Sequence, residues 1–83
     1  MNDKLLHDGV IWFRTNFDLN QIDKNYILRI ENGIDDADQT YINGNLVGNI
    51  FNSALVREYK IPKEILNKGK NTLAIRVTDY RLG

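Results

Sequence analysis

Apolar residues along the chain come in short runs that alternate with polar ones at a period of two, the signature of half-buried strands. Over residues 10–19, one face carries Ile11, Phe13, Thr15, Phe17 and Leu19. The other carries Val10, Trp12, Arg14, Asn16 and Asp18, and is apolar only at its start. Tyr26, Leu28 and Ile30 then share a face opposite Ile27, Arg29 and Glu31. Residues 40–42 run into Asn43-Gly44, and Leu46-Val47 follow. Asn-Gly between apolar runs predicts a hairpin, because a type I′ turn needs positive φ at both central residues. After a loose stretch at 49–56, a further strand over 57–62 ends at Pro62, which has no N–H to give a ladder. Lys63-Glu64-Ile65-Leu66 reads as one helical turn, and Lys68-Gly69-Lys70-Asn71 as a turn in which Gly69 takes positive φ. The last strand, 72–79, sets Leu73, Ile75 and Val77 against Ala74, Arg76 and Thr78.

No segment keeps apolar residues at helical spacing for longer than a turn, so the class is all-β, with about six strands. Ile11, Phe13, Phe17, Leu28, Ile30, Ile42, Leu73, Ile75 and Val77 are the expected core. Residues 1–8 precede the pattern and are expected to be a flexible N-terminus.

Length and charge narrow the classes further. At 83 residues the chain is one small domain or a fragment of one. A chain of this size buries only about 60–65% of its unfolded surface. Eleven basic residues balance eleven acidic ones, which disfavours a duplex nucleic-acid partner. There is no cysteine and a single histidine, so neither a disulfide scaffold nor a Cys- or His-built metal site is expected. No apolar run approaches the roughly 20 residues of a membrane span, and no membrane partner or cofactor is expected.

Candidate chemistry is thin. Asp35, Asp36 and Asp38 are oxygen donors of the kind calcium takes, but they lack the order of an EF-hand loop. A polar turn in which one Asp pairs with an Arg explains them better. A glycosidase-like carboxylate pair has no motif to stand on. His7 lies ahead of the first strand, and the only serine, Ser53, has no elbow glycines around it, so no catalytic residue is assigned. Arg14, Arg29, Arg57 and Arg76 lie in or at the start of strands, where pairing with acids is expected to outweigh an anion clamp. Of the aromatic residues, Trp12, Phe13, Tyr26, Tyr41 and Tyr59 alternate as core does. Phe51 and Tyr80 fall outside the strands and are the candidate ligand-binding residues.

Four segments together carry a family resemblance: 8–14, 33–48, 57–62 and 66–79. In this order they resemble the galactose-binding-like β-sandwich, a jelly roll, of sialate O-acetylesterases. More distantly they resemble the sugar-binding sandwich of family 2 glycoside hydrolases. Asn43-Gly44-Asn45-Leu46-Val47-Gly48 and the alternation from Gly69 through Asn71 to Val77 are pieces shared by many glycosidase accessory domains. The run from Ile34 to Gly44 leans toward the esterases. The resemblance implies a non-catalytic accessory module of a carbohydrate-active enzyme that buttresses a catalytic domain and touches glycan. It also implies a secreted or periplasmic parent. The alternatives are a stand-alone glycan-binding module and part of a family 2-like glycosidase. The family's Gly-Gln-Ser-Asn nucleophile motif is absent, so no catalysis carries over. Its sandwich also has further strands, so the chain is expected to be a shortened copy. Open strand edges then point to a homodimer or a marginal monomer.

Overall fold

The computed structural model describes residues 9–31, 37–50 and 56–79. They form six strands: β1 (Gly9–Leu19), β2 (Tyr26–Glu31), β3 (Ala37–Ile42), β4 (Asn45–Ile50), β5 (Val56–Ile61) and β6 (Gly69–Asp79), with a 3-10 turn at Lys63–Ile65. Two antiparallel sheets result, one of order β1-β6-β3-β4 and one of β2-β5. The shared core joins Ile42 of the larger sheet to Tyr59 and Ile61 of the smaller one, with Leu66 closing one end. Around them pack Phe17, Leu19, Tyr26, Leu28, Ile30 and Leu73. This is the all-β, six-strand chain that the alternation predicts, arranged as the small β-sandwich that the family resemblance implies.

The local signals hold. Asn43 and Gly44 have φ of 51° and 83°, the pair of positive values that a type I′ hairpin demands. Gly69 sits at φ 94° where β6 begins, so that strand starts three residues earlier than the alternation shows. Leu66 donates its N–H to Lys63 O at 3.1 Å, closing the expected single turn. β4 reaches Ile50, beyond the predicted Val47, and carries a bulge: Thr40 faces Gly48 but Tyr41 faces Leu46, leaving Val47 as the extra residue.

The core needs a correction. Phe13 stands on the inner face of the larger sheet, opposite Ile75 of β6, yet it is 56% exposed. Ile11, Ile75 and Val77 are half-buried rather than sealed. The smaller sheet has only two strands among the described residues, too few to cover four strands along their length. Phe17 and Leu19, nearer the Leu66 end, do pack on the core. Alternation identifies the face a residue takes, but not whether the opposite layer reaches it.

Candidate functional site

Among the described residues, the buried polar side chains, Asp38, Thr40, Arg57 and Asn71, come from the segments of the family resemblance. Asp38 of β3 points between the sheets and meets Arg57 and Tyr59 of β5. Asp38 and Arg57 are each only 1% exposed. One Asp38 oxygen takes a hydrogen bond from Arg57 Nη1, which also donates to Ile50 O at 3.1 Å. The other accepts from the Thr40 hydroxyl at 2.6 Å. The Tyr59 hydroxyl reaches both oxygens, at 2.7 and 2.9 Å. Burial, and then the hydrogen bond to the Asp38 carboxylate, pushes the Tyr59 phenol well above its ordinary value. Tyr59 therefore stays a neutral donor. A buried ion pair holds only when its remaining hydrogen-bond capacity is met, and here the carboxylate is ringed by three donors.

A second buried cluster anchors the hairpin. Asn43 donates through Nδ2 to Ile65 O at 2.8 Å and to Asn71 Oδ1 at 2.9 Å. The Thr72 N–H donates to Asn43 Oδ1 at 2.9 Å. Asn71, 1% exposed, donates to Asn67 O and Gly69 O and accepts from the Asn67 N–H. The Asn43 amide thus pins the hairpin to the start of β6 as well as shaping the turn. Asn71 and Gly69 do the same for the turn that precedes β6. The Asp38 carboxylate and the side-chain amides of Asn43 and Asn71 are engaged with the protein itself, which makes both clusters scaffold.

Of the acids singled out in the sequence, Asp38 pairs with an arginine as expected, but from within β3 and between the sheets rather than from a polar turn. Asp35 and Asp36 lie outside the described residues, as do His7, Ser53 and the two candidate ligand residues, Phe51 and Tyr80. Among the described residues no group of His, Cys, Asp and Glu is arranged to hold a metal. Arg29 pairs with Glu31 and with Glu58 directly across the ladder, on the exposed face of the smaller sheet. Among the described residues, Arg76 hydrogen-bonds to neutral groups, Gln39 at 3.1 Å and Thr78 at 3.5 Å.

The exposed feature that alternation does not reveal is on the outer face of the larger sheet. Trp12, expected in the core, is 44% exposed and faces outward. Its ring lies 6.0 Å from that of Tyr41, tilted by 31°. Arg14 stacks over Trp12 at 5.0 Å. Beside them opens a concavity of about 200 Å³, lined by Trp12, Arg14, Tyr41, Gly44, Thr72 and Ala74. Arg14 and Tyr41 flank the small Ala74 in one row across β1, β6 and β3. Tyr41 meets Trp12 only because β6 lies between β1 and β3, an order that local patterning does not encode.

The family model for the beta-galactosidase galactose-binding domain matches residues 10–71. The chain belongs to that family. Its structure is similar to that of a Bifidobacterium dentium beta-glucuronidase complexed with coumarin-3-O-glucuronide. The TM-score is 0.72 at 26% identity, over 93% of this chain and 13% of the other. The chain thus spans a small fraction of that protein's length. No match was found among curated protein sequences. The matches fall on the glycosidase side of the resemblance, and neither supports the sialate O-acetylesterase link. The esterase-leaning run places Asp38, Thr40, Asn43 and Gly44 in the two scaffold clusters. Those residues serve to close the sandwich, so they do not select between an esterase and a glycosidase.

Proposed function

We propose that the chain is a non-catalytic accessory sandwich of a glycoside hydrolase, packed against a catalytic domain and meeting carbohydrate at its surface. The observation that carries this reading is the match to the beta-glucuronidase, in which nearly all of this chain corresponds to about one-eighth of a much longer enzyme. The family's printed description supports a carbohydrate role. The described residues support a passive chemical role. Their one buried carboxylate is locked to Arg57, Tyr59 and Thr40. Three concavities on the described surface are lined without any Asp or Glu.

The outer edges of β1 and β4, unpaired among the described residues, are where neighbouring parts of the parent would join the larger sheet. A symmetric pairing of two copies is the alternative use of those edges; a single monomeric species in sedimentation would exclude it. The reading is tested by sequencing the coding region contiguous with this chain. A glycoside hydrolase catalytic domain in the same frame is expected. A Gly-Gln-Ser-Asn esterase domain there would replace the glycosidase parent with an esterase.

A further inference from the structure

Trp12, Arg14 and Tyr41 stand outside the core, on the outer face of the larger sheet. Two small residues, Thr72 and Ala74, together with Gly44, leave room between Arg14 and Tyr41. At about 200 Å³ the space suits one sugar ring. A pyranose carries a patch of C–H groups on one face, and aromatic faces with negative potential receive such a patch.

Charge selects the kind of sugar. The two exposed sheet faces treat their arginines differently. On the smaller sheet, Arg29 is neutralised by Glu31 and Glu58. On the larger one, neither Arg14 nor Arg76 has a carboxylate partner among the described residues. The acid of β1 on that face, Asp18, lies at the far end of the strand, opposite Lys70. Among the described residues, then, no carboxylate compensates the Arg14 guanidinium on the lip of this aromatic concavity, and Arg76 adds to the positive field. A guanidinium offers a planar fork that matches a carboxylate.

We propose that this ledge binds an acidic saccharide, a uronate-bearing ring stacked on Trp12 and Tyr41 with its carboxylate on Arg14. The inference rests on the accessory-module reading only in taking carbohydrate as the ligand class; residues and charge come from the ledge itself.

Trp12 is the only tryptophan, so its fluorescence reports the site directly. The chain is titrated with digalacturonate and with neutral galactobiose of the same linkage. A saturable fluorescence change is expected with the acidic sugar, weakening as salt rises. Binding of the neutral sugar is expected to be at least about tenfold weaker, and Arg14→Gln should weaken digalacturonate by about tenfold with no change in thermal midpoint. Arg29→Gln, on the opposite sheet, should leave binding unchanged. Equal affinity for the neutral sugar, an unaffected Arg14→Gln variant, or no saturable change with either sugar would overturn the ledge. Those results leave the accessory-module reading standing, since it falls instead on hydrolysis by the chain or on the flanking coding sequence.

Discussion

Tyr59 holds three features of this sandwich at once. Its ring lies in the core, its hydroxyl satisfies Asp38, and its flat side closes on the backbone at Gly48. A methyl at position 48 would overlap Cγ, Cδ1 and Cε1 of that ring, which the hydroxyl's tie to Asp38 keeps from moving aside. Gly48→Ala is therefore expected to cost about 1–3 kcal/mol of unfolding free energy, through overpacking. Gly44 is different. Nothing lies within 4 Å of where its Cβ would be, and the constraint is its φ of 83°. Gly44→Val should cost more than about 1 kcal/mol through backbone strain alone. A reduced Tyr59, such as Tyr59→Leu, should rescue Gly48→Ala in part and leave Gly44→Val as it was; urea unfolding of the double variants decides this.

The phenol also sets an alkaline limit. Its raised value in the fold means that the folded state keeps the proton where the unfolded chain, titrating near pH 10, gives it up. The stability tied to that proton is fully present below about pH 10 and declines as the pH rises further. The thermal midpoint of the wild type should fall more steeply above about pH 10 than that of Tyr59→Phe, which has no proton to lose. Parallel curves would remove Tyr59 as the cause.

At the scale of the element, what could be read from the chain was whatever is local. Period-two alternation located the strands; Asn43-Gly44, Gly69 and Pro62 marked where they turn or stop, because their φ or missing N–H acts within a few residues. Contacts between layers were not readable. Asp38 and Arg57 are 19 positions apart, and their pairing depends on β3 and β5 belonging to opposing sheets. The same limit explains Phe13, whose face was legible but whose exposure depends on how far β2 and β5 extend over β1. Ile42→Ala, at a residue 2% exposed, should therefore cost about 2–5 kcal/mol. Phe13→Ser, at one 56% exposed, should stay within about 1 kcal/mol. Chemical denaturation of the two variants makes the comparison, and equal losses would show that something covers Phe13.

For the whole molecule, the buried polar groups of the described residues hold the sandwich together, and the accessory role proposed above leaves the chemistry to another domain. Ester hydrolysis needs an activated nucleophile, a base and oxyanion donors. Glycoside hydrolysis needs two acids about 5–10 Å apart across a cleft. The buried carboxylate of the described core is committed to Arg57, Tyr59 and Thr40, and His7 and Ser53 are the chain's only histidine and serine. The direct measurement is hydrolysis of nitrophenyl galactoside, nitrophenyl glucuronide and an acetyl ester by the purified chain at high concentration. Rates equal to buffer are predicted for all three; turnover that disappears in Ser53→Ala or His7→Ala would contradict the account.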